Sequence, residues 1–211
     1  MRPRRIGAAI TLGLLLAGLP PAETQGADGA PERGAGERVA AAKGCGVCHA
    51  LPGEARGKKP GPVFQTPAPP QAASEVLRRL WNHIPGMRQH FLARDLVWPV
   101  MSVPEMADLL TFLGMQPGRE HAPNLGRGRA LLVQKGCLKC HALAGEGGRV
   151  APDLVRFREY GNPVPLAASL WNKAPRMLER IDKSGIPFPV FQEGDMRDLL
   201  GFLGALVDVS R

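Results

Sequence analysis

The chain has 211 residues, a formal net charge of +8 and a sequence pI near 9.9. Its basic residues do not cluster into a stripe and only 5% of its residues are aromatic, which argues against nucleic-acid binding. The charge predicts instead a mild preference for acidic partners, acting on the rate of encounter more than on affinity. With 26 glycines and 21 prolines the chain is rich in loops, and its length allows one or two domains.

Residues 1–30 have the pattern of a secretory signal peptide followed by a flexible segment. Three arginines precede an apolar run over residues 6–19, which is too short for a comfortable membrane span. We therefore expect cleavage after Ala22 or near Ala27, export to a bacterial periplasm, and a mature protein that does not span the membrane. The alternative is an uncleaved N-terminal anchor.

A first helix, predicted over about residues 33–43, leads into the most informative motif. Cys45-Gly46-Val47-Cys48-His49 recurs as Cys137-Leu138-Lys139-Cys140-His141, and the two copies use all four cysteines. Cys-x-x-Cys-His is the attachment site of a c-type haem, in which each thiol adds to one vinyl group and the histidine becomes the proximal iron ligand. We predict two covalent haem c groups, bound through Cys45, Cys48, Cys137 and Cys140, with His49 and His141 on the irons.

Three other uses of these cysteines stay open at this level. A thioredoxin-like redox pair needs a βαβ context, which the sequence pattern lacks. A zinc finger does not need a histidine directly after the second cysteine. Two plain disulfides would suit an exported protein.

The two halves of the chain are copies of one unit, which predicts a tandem organisation. Leu80-Trp81-Asn82 recurs as Leu170-Trp171-Asn172, and residues 109–114 recur as 199–204. Each unit is predicted to have three helices. The first covers about 33–43 or 128–135, the second covers about 71–83 or 166–173 and ends before a proline, and the third has an apolar face that includes Met106 or Met196. The predicted boundaries are 1–30, 31–118 and 119–211, with a linker over about 116–124.

With these motifs in place, the chain resembles a tandem dihaem class I cytochrome c, similar in layout to the cytochrome c4 family, over about residues 33–207. The resemblance implies an all-α fold of two tandem cytochrome-c-like haem domains. It implies that the first helix crosses the last, with Gly36 facing Phe112 and Gly128 facing Phe202.

The resemblance also assigns a role to Pro62 and Pro152. They would lie beside the proximal histidines, where a carbonyl of the proline loop accepts a hydrogen bond from the second imidazole nitrogen. Such a bond fixes the ring and raises its basicity as a ligand.

The sixth iron ligand is expected to be methionine. Met101 aligns with Phe191 and Met115 with Ala205, so neither serves both units, and Met106 and Met196 are expected in the core. Met87 and Met177 remain. Each follows a proline by two residues, and we expect this proline to break the helix and turn the thioether toward the iron.

The ligand assignment has one rival and one departure from the family pattern. His83, whose counterpart is Lys173, is a rival ligand in the first unit. The usual Met-Pro before the last helix is replaced by Trp98-Pro99 and Phe188-Pro189.

The predicted function is electron transfer between redox partner proteins, without catalysis, because no general acid, nucleophile or substrate pocket is recognisable. The alternatives are a haem enzyme, peroxidase-like or oxidising sulfur compounds, and a relay subunit of a larger periplasmic oxidoreductase.

Overall fold

A computed structural model describes residues 33–116 and 118–209 of the chain, and the predicted signal peptide lies outside these residues. The described part is mostly helical, which confirms the all-α class. Its six α-helices are α1 (Arg33–Ala42), α2 (Ala73–Leu92), α3 (Val103–Phe112), α4 (Leu125–Gln134), α5 (Pro163–Ser184) and α6 (Asp195–Val209). None of the helices in these two ranges is both long and apolar enough to cross a membrane.

Short elements follow each Cys-x-x-Cys-His motif differently in the two halves. The motifs themselves form 3₁₀ turns at Cys45–Val47 and Cys137–Lys139. The second half adds a small antiparallel hairpin, β1 (Ala142–Leu143) paired with β2 (Glu146–Gly147), and 3₁₀ turns at Leu154–Arg156 and Arg158–Gly161. The loop of the first half has neither of these additions among its described residues.

The predicted crossing of the first and last helices is present in both halves. α1 packs on α3 and α4 packs on α6. A Cβ atom at Gly36 would overlap the carbonyl oxygen of Asp108, and one at Gly128 would overlap that of Asp198. Phe112 and Phe202 lie beside these glycines, as the resemblance implied. Only glycine allows the two backbones to approach this closely.

The prediction that a proline ends each middle helix is wrong. α2 continues through Pro85 to Leu92, and α5 continues through Pro175 to Ser184. Proline lacks an N–H, so the carbonyl four residues earlier loses its helical donor. At Pro175 that carbonyl belongs to Trp171, and the indole N–H of Trp98 donates to it instead, at 3.1 Å. A tertiary contact therefore supplies a bond that the local sequence cannot.

The two halves pack extensively against each other. α2 contacts α5 and α6, and α5 contacts α3. Buried apolar side chains of both halves form one continuous cluster, which includes Trp81 and Trp171 at 5% exposure each. Both tryptophans are thus core residues. Arg88 on α2 and Asp182 on α5 add an ion pair at 3.2 Å.

Side-chain caps fix several helix ends. Ser102 and Glu105 form a reciprocal capping box at the start of α3. α2 begins at Ala73 without a side-chain cap of its own, but Glu120 from the segment after α3 accepts a hydrogen bond from the Ser74 backbone at 3.1 Å. The connection between the halves thereby caps α2.

Candidate haem-binding sites

Each pentapeptide is folded as a single turn that follows the first helix of its half. Gly44 and Gly136 lie just before the turns with φ of 78° and 73°, a left-handed conformation that favours glycine. The backbone N–H of His49 donates to Cys45 O at 2.9 Å, and that of His141 donates to Cys137 O at 3.0 Å. The turn therefore brings both cysteines and the histidine of each motif close together, as one porphyrin edge requires.

The imidazoles of both motifs are oriented by a backbone carbonyl. His49 Nδ1 lies 3.0 Å from Pro62 O, and His141 Nδ1 lies 2.7 Å from Pro152 O. A carbonyl oxygen only accepts, so Nδ1 donates its proton in both rings and Nε2 carries the free lone pair. Nε2 is the atom through which such a histidine binds iron while its other nitrogen is held. Both expected contacts of the proline loop are therefore present.

The His49 ring has two further neighbours. Phe64 stacks on it with ring centroids 4.6 Å apart and planes inclined by 10°. Burial lowers the pKa of His49, the hydrogen bond to Pro62 opposes this, and the charge of His83 lowers the pKa further. The ring is consequently neutral at pH 7, which is the form that ligates metals.

The first cysteine of each motif is protonated at neutral pH. Burial is the main cause that raises the pKa of Cys45 and of Cys137 to about 11. A thioredoxin-like redox pair needs a lowered thiol pKa, because the thiolate is the reactive species. The environment of these cysteines therefore disfavours that alternative.

The zinc and disulfide alternatives each require a particular arrangement of the cysteines. All four cysteines are free of disulfides. Across residues 33–116 and 118–209, no three side chains of His, Cys, Asp or Glu come together in a way that could hold a metal ion. A haem iron takes only one or two protein ligands, so such a cluster is not required of a haem site.

Leu80, His83 and Met87 share one face of α2 at i, i+3 and i+7 spacing. His83 is close enough for its charge to act on His49. Leu80 and Met87 are half-buried at the edge of the core, as are Leu170 and Met177 on α5.

The α5 face is placed similarly. Lys173 Nζ lies 4.5 Å from the ring centroid of Phe157, in the loop that follows Pro152. One residue of each face, His83 or Lys173, therefore lies near the motif or motif loop of its half. Each face also has a half-buried methionine.

Three other methionines are less accessible than Met87 and Met177. Met106 and Met196 are core residues at 0% and 2% exposure, as expected, and Met101 is also buried at 2%. The structure thus leaves Met87 and Met177 as the matched pair with exposed surface. The expected reason for their placement was wrong, because they project from continuous helices and not from a proline break.

His83, the rival ligand, lies exposed on α2. Its Nδ1 donates to Arg79 O at 2.6 Å. Lys173 donates to Ser169 Oγ at 2.6 Å and lies over Phe157, so its amine already has partners.

Comparisons with known proteins give no relative. No family model, no curated protein and no solved structure matches this chain.

Sequence reasoning did not identify several residues that shape the sites. Lys43 and Lys135 directly follow α1 and α4. Their amines donate to Val100 O at 2.9 Å and to Val190 O at 2.7 Å. They thus tie each motif turn to the segment before the last helix, and their position directly before Gly-Cys in both copies was the available signal.

Proposed function

We propose that this chain is a dihaem c-type cytochrome, with one haem attached in each half, that carries electrons between periplasmic redox partners. The observation that carries the proposal is the repeated pairing of an imidazole Nδ1–H with a proline-loop carbonyl, at His49 with Pro62 and at His141 with Pro152. Each pairing lies directly beside a turn with two cysteines. When bound, each haem would supply an iron that cycles between the ferric and ferrous states.

The protein residues would set the properties of these two sites. Cys45 and Cys48, or Cys137 and Cys140, would hold the porphyrin by thioether bonds, and His49 or His141 would bind the iron through Nε2. Met87 and Met177 would supply the second protein ligand of each iron, and a thioether ligand favours the ferrous form and raises the potential. Half-buried Leu80 and Leu170 would cover part of each porphyrin and exclude water.

Differences between the halves favour unequal potentials. His83 in the first half is replaced by Lys173 in the second, and the second half alone has the β1–β2 hairpin among the described residues. Charges and solvent access near a haem shift its potential. Two unequal sites would let an electron pass from donor to acceptor through one chain.

Mass spectrometry and absorption spectroscopy of the exported protein test this proposal. The mature chain should carry the added mass of two haems, and Cys45→Ala/Cys48→Ala should carry one. The ferric protein should show the weak long-wavelength band of methionine-ligated haem, and Met87→Ala and Met177→Ala should each remove about half of it. A chain without added haem mass would refute the proposal.

The same spectrum separates the carrier from a haem enzyme. A high-spin ferric spectrum with rapid binding of cyanide or carbon monoxide would mean an open iron site and would favour enzymatic chemistry. If His83→Ala removed ligation in the first half and Met87→Ala did not, His83 would replace Met87 as ligand there.

A further inference from the structure

The repeated Leu-Trp-Asn segment of each half forms hydrogen bonds with the backbone of the other half, so the contact is reciprocal. Asn82 on α2 accepts from the backbone N–H of Phe191 at 3.0 Å and donates to its carbonyl at 2.8 Å. Asn172 on α5 accepts from Met101 N–H at 2.9 Å and donates to Met101 O at 2.8 Å. Each asparagine thus pairs with the backbone of the other half as a neighbouring β-strand would.

The tryptophans next to these asparagines repeat the pattern. The indole N–H of Trp81 donates to Pro189 O, and that of Trp171 donates to Pro99 O, both at 2.7 Å. Trp81 also stacks on Phe188, and the rings of Trp171 and Trp98 pack with their centroids 4.4 Å apart. We call these contacts of residues 81–82 and 171–172 the reciprocal clasp.

The backbone segments that accept these contacts, residues 98–101 and 188–191, are also held by contacts within their own half. Residues 98–101 lead directly into α3, and Lys43 donates to Val100 O. Residues 188–191 precede α6, and Lys135 donates to Val190 O. The clasp therefore joins α2 to the framework of the second half and α5 to that of the first half.

The proposed distal methionines lie on the clasped helices. Met87 follows Asn82 by five residues on α2, and Met177 follows Asn172 by five residues on α5, with the helix unbroken between them. Five residues correspond to about 7.5 Å along a helix. A helix held at the asparagine therefore also holds the methionine in position and in rotation.

We propose, given the proposed function, that Asn82 and Asn172 are positioning residues. By hydrogen-bonding to the backbone of the opposite half, they keep Met87 and Met177 in position to bind iron. Each iron site is then complete only when the other half is docked. Loosening one clasp lowers methionine occupancy at the iron on the same helix.

The first test uses the ferric long-wavelength band and the two reduction potentials of the holoprotein, measured well below its melting temperature. Asn82→Leu and Asn172→Leu are each expected to lose up to about half of the band, and the double variant to lose most of it. Asn82→Asp and Asn172→Asp keep the accepted bond and should lose less. Far-UV circular dichroism checks that each variant is folded.

Asn162→Ala is the matched control. Asn162 caps α5 by accepting from Val164 N–H at 3.1 Å, so its loss weakens the same helix without touching the clasp. It should lower the melting temperature and leave the band and both potentials unchanged. If Asn82→Leu and Asn172→Leu kept the ferric long-wavelength band at wild-type intensity and only lowered the melting temperature, the proposal would be overturned.

A second test asks whether the effect crosses between the halves. In a Met87→Ala background the remaining band reports the second haem alone. Trp98 belongs to the first half and donates to Trp171 O, the carbonyl freed by Pro175. Trp98→Leu should weaken that remaining band. Phe91→Leu is the control: Phe91 packs against Trp98 with ring centroids 5.3 Å apart but belongs to the first half, and its replacement should leave the remaining band unchanged.

The two proposals fail in different ways. A chain without haem mass, or a wild-type protein without the methionine band, refutes the proposed function or its ligand set. Two haems with a normal band that no clasp variant changes refute the positioning role alone.

Discussion

Asp198 provides a sharp test of the electrostatics of the second half. It lies on α6 with 0% of its surface exposed. It accepts from the backbone N–H of Asn124 at 3.0 Å, from the guanidinium of Arg127 at 2.6 Å and from Arg197 Nε at 2.8 Å. Burial alone would raise its pKa, but the hydrogen bonds from Arg197, Asn124 and Arg127 outweigh burial and hold the pKa at about 2.

The difference between the pKa of Asp198 in the unfolded and folded chain gives its contribution to the free energy of unfolding. The ordinary value is 3.8 and the folded value is about 2. At about 1.4 kcal/mol per pKa unit, the ionised Asp198 stabilises the fold by about 2–3 kcal/mol. Because the folded pKa is depressed, this contribution is fully present above the unfolded pKa and is lost as the pH falls through the folded pKa.

Urea unfolding of wild type and Asp198→Asn, followed by far-UV circular dichroism, measures this contribution. At pH 7 the variant should be less stable by at least about 2 kcal/mol, because two arginines then face an amide that cannot neutralise them. The gap should be constant from pH 7 down to about pH 4 and should narrow between pH 3.8 and about 2.

Glu179→Gln is a suitable control for that experiment. Glu179 pairs with Lys183 at 2.6 Å on the surface of α5, where its side chain is 54% exposed. Its loss should change the stability little, because a solvent-exposed ion pair contributes little to the free energy of unfolding. A gap between wild type and Asp198→Asn that stays constant or widens on acidification would refute the assignment of the depressed pKa.

Three further changes test the packing of the first half. Gly36→Ala should lower the free energy of unfolding by about 1–3 kcal/mol, because its Cβ overlaps the backbone of α3. Gly34→Ala is the control and should cost nothing, since the nearest atom to its Cβ is 3.7 Å away. Equal melting temperatures of Gly36→Ala and Gly34→Ala would contradict the helix crossing. Ser102→Ala should cost about 1 kcal/mol by removing the cap of α3. Glu120→Ala should cost about as much if it caps α2 across the connection, and hydrogen exchange should then quicken at the start of α2.

The sequence alone determined the local features of the candidate sites. Cys-x-x-Cys-His is a contiguous motif, and the left-handed glycine before it, the turn and the histidine all depend on residues close in the chain. The repeat placed the first and last helices and paired Met87 with Met177. The family resemblance added the crossing at Gly36 and the histidine-to-proline-loop bond, and both are present.

Only the tertiary structure decided how far the middle helices extend and what they contact. Local preference predicts that a proline ends a helix, yet α5 passes through Pro175, and Trp98 from the other half donates a hydrogen bond to the freed carbonyl of Trp171. The Leu-Trp-Asn repeat was visible in the sequence, but an asparagine that pairs with a distant backbone has no local signature. Its partners, Phe191 for Asn82 and Met101 for Asn172, lie in the opposite half of the chain, and only the folded backbone brings them together.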